Sequence, residues 1–258
     1  MVRTIGIVGG APSFGALRCR RGLTEWLVAT TLVLLAALAT PASARPTHGE
    51  IRPLAAGAEL NGLDVYPLDV GRTWTYRDST GRESRNIIAA SATVLSKSGR
   101  ATWETWKRDS YDLSEPGHPK LVEHWNYAID PERGVLSLGG QETDDFRGPL
   151  IPADPGTEMP RQITAETSWI EEGIARRFAG VADVDVEAGS FKGCAAIDAK
   201  GEHKLPSGEA ADTRTFYCPG VGRVLVLVMV QGRWAPGLEL VKWSVLPPEA
   251  HKGPGAPP

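Results

Sequence analysis

Apolar and polar residues alternate with a period of two along most of the segment from residue 63 to residue 246. This is the spacing of a β-strand with one buried face, and turn-forming stretches such as Ser79–Gly81 and Pro131–Gly134 interrupt it repeatedly. No long run has the 3.6-residue period of an amphipathic helix. The sequence therefore predicts an all-β fold, built as an antiparallel curved sheet, a half-barrel or a sandwich.

Eleven segments have the strand pattern, and a proline-rich stretch over residues 149–161 is predicted to be a loop. The predicted strands are Arg72–Asp78, Asn86–Leu95, Thr102–Arg108, Leu121–Ile129, Val135–Leu138, Ser168–Glu172, Ile174–Glu187, Phe191–Ala199, Thr213–Cys218, Gly222–Val230 and Leu238–Leu246.

The segment from Val224 to Val230 consists of seven apolar residues without a polar interruption. An antiparallel strand with water on one face alternates, so this strand is predicted to be covered on both faces. A ligand cavity on one side or the filled core of a thick sandwich would each provide that cover. The residues alone leave both arrangements open.

The first 44 residues have the three parts of a secretory signal peptide. Three arginines between residues 18 and 21 supply positive charge, Trp26–Ala39 is uncharged and mostly apolar, and Ala42–Ala44 matches the A-x-A cleavage pattern. The apolar run has 14 residues, fewer than the roughly 20 of a transmembrane helix. We predict cleavage after Ala44 and a secreted or periplasmic protein without a transmembrane anchor.

Beyond the cleavage site, the chain divides by composition into a flexible lead-in (45–62), a single all-β domain (63–246) and a disordered Pro/Gly tail (247–258). Four of the 28 basic and one of the 31 acidic residues lie in the first 44, which leaves 24 basic and 30 acidic residues and a net charge of −6. Nucleic-acid binding requires an excess of Lys and Arg, so this balance excludes it.

Cleavage would remove one of the three cysteines and leave Cys194 and Cys218. An even number of cysteines in an oxidising compartment predicts a disulfide. In a hairpin folded about Pro206, Cys194 faces Cys218, and in the same register Asp198 faces Arg214, a favourable cross-strand charge pair. Two buried free thiols are the alternative.

Four segments together resemble a widespread group of uncharacterised secreted bacterial proteins. In that group a YPL-x-x-G-x-x-W-x-Y opening precedes an aG-x-F-x-x-C strand and a late GVG-x-V strand. The matching segments are Tyr66–Tyr76, Val186–Cys194, Phe216–Val224 and Leu238–Leu240. This chain departs from the pattern at Cys218 and Pro219. The resemblance implies an all-β fold similar to the curved sheet of periplasmic lipoprotein carriers, and it implies no catalytic residues.

Motifs for catalysis or metal binding are not recognisable in the chain. Its histidines do not have metal-ligand spacing, the acidic residues Glu142, Asp144 and Asp145 lack the EF-hand pattern, and no G-x-S-x-G is present. We assign no catalytic, cofactor-binding or metal-binding residue and expect no cofactor.

Tryptophans are numerous for a domain of this size, and four are candidates for contact with a ligand or partner: Trp103, Trp106, Trp125 and Trp234. The first two are an odd number of residues apart, so they point to opposite faces of a strand. In the next strand Glu123, Trp125, Tyr127 and Ile129 share one face. Trp234 is predicted to lie in the turn Gln231–Gly237, where an exposed aromatic can mark a contact site.

The favoured function is that of an exported, non-catalytic domain that binds a hydrophobic ligand, such as a lipid or another apolar small molecule, or a component of the cell envelope. One alternative is a structural or protein-interaction module that acts through loops such as 139–161. The other is a hydrolase whose carboxylates the sequence does not identify.

Overall fold

The structure is a computed structural model that describes residues 46–95, 102–142 and 155–245. These ranges contain one short helix, α1 (Gly62–Val65), and fifteen strands. The strands are β1 (Thr47–His48), β2 (Leu60–Asn61), β3 (Arg72–Asp78), β4 (Glu83–Leu95), β5 (Thr102–Asp112), β6 (Lys120–Asp130), β7 (Gly134–Glu142), β8 (Gly156–Pro160), β9 (Gln162–Ile163), β10 (Ser168–Glu171), β11 (Ile174–Val186), β12 (Gly189–Lys204), β13 (Ala210–Cys218), β14 (Gly222–Val230) and β15 (Arg233–Val245).

Thirteen of these strands form one antiparallel sheet. Its order is β1-β11-β12-β13-β14-β15-β3-β4-β5-β6-β7-β8, with β10 also paired to β11, and β2 pairs separately with β9. The hydrogen-bonded path does not close on itself within the described residues. The sheet curves, however, so that β10 near one end contacts β8 at the other. The prediction of an all-β, antiparallel curved sheet is confirmed.

Most strands of the structure lie close to the positions that the period-two pattern predicts. Strands β3 and β14 begin and end at the predicted residues, and the others differ mainly by extension at their ends. The prediction of a loop over residues 149–161 is wrong in part, because Gly156–Pro160 forms strand β8 at the edge of the sheet. Proline is tolerated there since an edge strand leaves half of its backbone groups unpaired. Residues 143–154 lie outside the described part of the chain.

The lead-in segment is attached to the sheet at several points. Thr47 and His48 pair with β11, Arg52 forms an isolated bridge to Val181 through two 2.8 Å backbone hydrogen bonds, and Leu60–Asn61 pairs with β9. The segment predicted as flexible therefore contains two strand pairings. The predicted signal peptide and the predicted Pro/Gly tail lie outside the described residues.

Side chains of β3 hydrogen-bond to the turn between β13 and β14, although β15 lies between β3 and β14 in the sheet. Trp74 Nε1 donates a 2.6 Å hydrogen bond to the carbonyl oxygen of Val221, and Arg72 donates one of the same length to that of Gly220. The Tyr76 hydroxyl donates to the carbonyl oxygen of Arg223 at 3.0 Å. The opening motif and the Gly-Val-Gly motif thus form one packed unit.

Strand β14 is buried on both faces, as its apolar sequence predicts. Val224, Leu225, Leu227 and Val228 are all buried. On its neighbour β13, Tyr217 lines a cavity on one side of the sheet, whereas Phe216 lies against the ring of His48 on the other side, with ring centroids 5.0 Å apart. A core therefore exists on each side of this part of the sheet.

The disulfide between Cys194 and Cys218 is present, with the Cα atoms 4.1 Å apart. It joins β12 to β13 in the predicted register, in which Asp198 faces Arg214. Arg214 Nε lies 2.6 Å from Asp198 Oδ1. Because the two strands are antiparallel neighbours, one pairing determines the others from Ala195 to Ala199, and a bulge then shifts the register between Ala199 and His203.

Candidate functional site

A partly enclosed cavity of about 50 Å³ lies on one side of the sheet, beneath the segment that links α1 to β3. Its lining is mixed: it includes apolar residues such as Leu68 and Ile88, the tyrosines Tyr66, Tyr76, Tyr127 and Tyr217, the charged residues Arg108, Glu158 and Arg223, and Asn86. We call the sheet face that carries Tyr76, Arg108, Tyr127 and Arg223 the inner face. A cavity of this size holds a few water molecules or one small polar group. A continuous apolar lumen, the arrangement expected for a carrier of purely hydrophobic ligands, is not seen in the described part of the molecule.

An open pocket of about 580 Å³ lies next to the cavity on the inner face. The two share Asn86, Arg108 and Arg223, so these residues form the boundary between them. The pocket lining also contains the apolar and aromatic residues Tyr111, Val122, Trp125 and Leu238, the acidic residues Asp78, Glu83, Asp112 and Glu123, and Arg82. The lining is therefore mixed, with apolar and aromatic surface beside four acidic side chains and three arginines.

The two arginines at the boundary lie against aromatic rings. The Arg108 guanidinium carbon is 5.4 Å from the centroid of the Tyr127 ring and 5.8 Å from that of Trp125. The Arg223 guanidinium carbon is 5.0 Å from the centroid of the Tyr76 ring. The negative faces of these rings attract the guanidinium charges and hold them in place.

Tyr66 lies between Tyr127 and Tyr217, with ring centroids 5.6 and 5.8 Å away. Burial is the main cause that raises the pKa of all three hydroxyls above the ordinary value of 10. The hydroxyls therefore remain protonated and can donate hydrogen bonds into the cavity. The Tyr66 hydroxyl interacts with both Glu158 and Tyr127.

Glu158 and Glu171 form a hydrogen-bonded carboxyl pair at the place where β8 meets β10. Burial, together with the hydrogen bond and the charge of Glu158, raises the pKa of Glu171 to about 9. The pKa of Glu158 is lowered: burial opposes this, but the hydrogen bond from Glu171 and the charges of Arg176 and Arg108 outweigh it. The pair therefore holds one proton, on Glu171, and one negative charge, on Glu158, at neutral pH.

Arg176 connects the carboxyl pair to a third carboxylate. Its Nε is 2.7 Å from Glu171 Oε2, but the two atoms are not aligned for a hydrogen bond. Its terminal nitrogen lies 2.7 Å from Glu202 Oε1, and the other oxygen of Glu202 accepts a hydrogen bond from Thr213. This network links β8, β10, β11, β12 and β13 by side chains.

We expect the carboxyl pair to make stability fall as pH rises. In the unfolded chain Glu171 loses its proton near its ordinary pKa of 4.5, whereas in the fold it keeps the proton to about pH 9. The folded state therefore binds more protons over this range, and the free energy of unfolding should decrease between pH 5 and pH 8, by at most about 1.4 kcal/mol per pH unit. Urea unfolding of the wild type and of Glu171→Gln at several pH values measures this effect.

Glutamine stays neutral and can still donate to Glu158, so Glu171→Gln should remove the slope. Glu172→Gln, at the exposed neighbouring position, should keep it. An unchanged slope in Glu171→Gln would show that Glu171 is not the residue that holds the proton.

The four candidate tryptophans do not lie together at one site. Trp125 is in the wall of the open pocket, beside Arg108. Trp106 lines a second open pocket near α1, together with Leu63 and Ile129. Trp103 points to the opposite face from Trp106 and packs against a separate small cluster that contains Leu136.

The predicted position of Trp234 in a turn is wrong. Strand β15 begins at Arg233, and Trp234 is half-buried in it, opposite Met229. The guanidinium carbon of Arg214 lies 4.7 Å from the centroid of its ring. The turn is tighter than the glycine and proline content of this segment suggested, because Gln231 and Gly232 adopt positive φ angles and reverse the chain in two residues.

Sequence reasoning did not identify Glu158, Glu171, Arg108 or Arg223. Glu158 falls in the stretch predicted as a loop, so no face was assigned to it. The other three lie in predicted strands at positions where a polar residue is ordinarily interpreted as facing water. The inner-face set Glu123, Trp125, Tyr127 and Ile129 of β6 was the one available sign, because a charged residue shares that face with large aromatics.

On the opposite face, the Nδ1 atom of the buried His124 is 2.6 Å from Asp109 Oδ1, and Lys107 Nζ is 3.3 Å from the same oxygen. Within residues 46–95, 102–142 and 155–245, no group of three or more His, Cys, Asp or Glu side chains is arranged to hold a metal ion. In the same ranges, no helix is long and apolar enough to cross a membrane. The acidic residues Asp144 and Asp145 lie outside the described part of the chain.

Comparison with known proteins gives little further information. No protein-family model matches the chain, and no curated protein sequence matches it. A crystal structure of a "putative lipoprotein" from Parabacteroides distasonis ATCC 8503 is similar over 70% of this chain and 98% of its own, with 12% sequence identity and a TM-score of 0.41. A similarity of this size carries no argument about function.

Proposed function

We propose that this chain is an exported, non-catalytic binding domain that holds a small amphiphilic ligand in the open pocket of its inner face. The observation that carries the proposal is the continuity of a pocket of about 580 Å³ with a smaller, partly enclosed cavity through three shared residues. Ligand sites in proteins are typically concave, of roughly 300–1,000 Å³, with aromatic walls and a few polar groups that orient the ligand.

The lining favours an amphiphilic ligand over the purely apolar one expected from the sequence. Trp125, Val122 and Leu238 offer apolar and aromatic surface, while Asn86 and the two arginines offer hydrogen-bond donors at the inner end. The apolar run of β14 does not contribute a lumen, because its side chains fill the cores on both sides of the sheet.

The disulfide supports the exported location. Disulfides form and persist outside the reducing cytosol, and this one joins two fully buried cysteines in neighbouring strands. It is therefore part of the folded core rather than an exposed, exchangeable pair.

A hydrolase is a second candidate, because the structure contains a carboxyl pair with a shared proton, Glu158 and Glu171. The geometry does not favour it. Glycosidases separate their two carboxyl groups by roughly 5 Å or more, whereas these two are hydrogen-bonded directly to each other. Glu171 is also buried behind the cavity and does not line either pocket of the inner face. A structural role between β8 and β10 accounts for the pair.

Native mass spectrometry tests the proposal on the full chain, expressed with its N-terminal segment and purified without detergent. We expect an additional mass of a few hundred daltons that organic extraction removes. Trp125→Leu should reduce the bound fraction, by about tenfold in affinity, because a large aromatic wall is lost. Trp103→Leu is the matched control, since Trp103 points to the other face, and it should keep the ligand.

A polypeptide that carries no small molecule after purification from its own envelope, and binds none when lipid extract is added back, would contradict the proposal. The protein-interaction alternative would then be favoured. Equal loss of the ligand in both tryptophan variants would place the site outside the inner-face pocket.

A further inference from the structure

We infer that Arg108 and Arg223 together bind a single anionic group, a carboxylate or a phosphate, at the inner end of the open pocket. The inference rests on the proposed function and names the chemistry of the ligand's polar end. It is argued from the position of the two guanidinium groups, from the partners they lack and from the space beside them.

Both arginines face the same space from different parts of the sheet. Arg108 is in β5 and Arg223 is in β14, and each lines both the open pocket and the partly enclosed cavity. The two charges are close enough to repel each other. A group that enters the pocket and reaches its inner end therefore meets two guanidinium groups at once.

Among the described residues, neither arginine has a carboxylate oxygen within 4.0 Å of its guanidinium nitrogens. Nε of Arg108 is buried and has no hydrogen-bond partner. Three arginines with well-buried side chains are different, because each lies within 3.0 Å of a carboxylate: Arg72 with Asp69, Arg176 with Glu171 and Arg214 with Asp198.

Glu158 is the one carboxylate of the cavity lining, and its charge acts on Arg108. It already accepts hydrogen bonds from Glu171 and Tyr66. Inside the cavity, two half-buried positive charges therefore face one carboxylate, and the four acidic residues that line the open pocket lie more than 4.0 Å from both guanidinium groups. Burying a charge without a partner is costly, so an anion from solution that fills this position is favoured.

The chemistry of the guanidinium group defines what fits. Its planar array of N–H donors pairs with two oxygens of a carboxylate or phosphate, and such charge-assisted bonds are stronger than neutral ones. The cavity of about 50 Å³ has room for one such group, and the remainder of the ligand would lie in the larger pocket against Trp125. Octanoate has both parts, octan-1-ol has only the chain, and inorganic phosphate has only the charge.

Isothermal titration calorimetry of the full chain with these three probes at low salt tests the inference. We expect octanoate to bind at least about tenfold more tightly than octan-1-ol, and Arg108→Met or Arg223→Met to weaken octanoate about tenfold to a hundredfold while leaving octan-1-ol unchanged. Arg85→Met is the control. Arg85 is next to Asn86 in β4 and therefore points away from the inner face, so its replacement should change the affinity for neither octanoate nor octan-1-ol.

Phosphate binding as tight as that of octanoate, and lost in the same two variants, would support the anion site and identify a free anion as its occupant. Equal binding of octanoate and octan-1-ol by the wild type would overturn the anion site and leave the proposed function standing. Absence of binding by all three probes would overturn the anion site, and the native mass spectrometry then decides the proposed function separately.

A second measurement does not depend on any probe. Because Arg108 has no carboxylate partner among the described residues, Arg108→Met should lower the urea midpoint of the ligand-free chain no further than the loss of its contacts with the Trp125 and Tyr127 rings accounts for. A larger fall would show that Arg108 is paired with a carboxylate within the fold, which would overturn the inference.

Discussion

Replacement of both disulfide cysteines, in the variant Cys194→Ala/Cys218→Ala, is expected to lower the free energy of unfolding by about 3–4 kcal/mol. The bond closes a loop between positions 24 residues apart, so its loss frees the unfolded chain to adopt many more conformations. Alanine is the replacement of choice because both positions are fully buried, where a serine hydroxyl would lack a partner. Urea unfolding measures the change.

A reducing agent provides the control for this experiment. It should lower the midpoint of the wild type and have no effect on the double variant. If the wild type unfolds at the same urea concentration with and without the reducing agent, once loss of the bond is verified by mass, then the disulfide does not stabilise the fold.

Gly134→Ala is expected to cause the other large loss of stability. Gly134 begins β7 with φ of 105°, and a Cβ atom there would lie 2.3 Å from the carbonyl oxygen of Met159 and 2.4 Å from the amide nitrogen of Arg161. Both are backbone atoms in or next to β8 and cannot rotate away. The strained φ costs about 1–3 kcal/mol, and the collision adds about 1–3 kcal/mol more.

Gly139 in the same strand separates the two contributions. It has φ of 94°, but a Cβ atom there would meet nothing within 4 Å. Gly139→Ala should therefore show only the cost of the strained φ. Thermal or urea unfolding of the two variants should differ by about 1–3 kcal/mol, which is the collision alone. Equal losses would mean that β8 moves aside at little cost.

Displacement of β8 would also affect the site, because this strand carries Glu158. The Gly134→Ala variant is therefore expected to lose the pH dependence that Glu171 produces, in addition to stability. Gly139→Ala should retain it.

The strands could be predicted from the sequence because alternation is a local property. The side chains of Arg72–Asp78 alternate between the two faces of their strand, whatever lies next to them, and the unbroken apolar run Val224–Val230 predicts a strand covered on both faces. The Cys194–Cys218 pairing was also predictable, since one register holds from the disulfide to the Ala199–Thr213 pair, before the bulge that shifts it. Strands of two residues, such as Thr47–His48, are too short to show a period at all.

The candidate site was not predictable because it is assembled from distant strands. Arg108, Glu158, Glu171 and Arg223 come from β5, β8, β10 and β14, and their proximity depends on the curvature of the sheet. A polar residue at every second position has the same pattern whether its face meets water or a closed interior. The order of the strands decides whether such a face meets water or a closed interior. That order depends on contacts between residues far apart in the sequence, which no local pattern indicates.

The pairing of β3 with β15 has a consequence for the assembly of the protein during synthesis. Tyr76 and Leu240 are cross-strand partners, yet they are separated by about 160 residues, and such non-local pairing is slow to form. The early meander β3–β8 therefore emerges with one edge of β3 bare until the final strand arrives. A bare edge can pair with another chain, so the half of the sheet made first is exposed to self-association until β15 is synthesised and docks on β3.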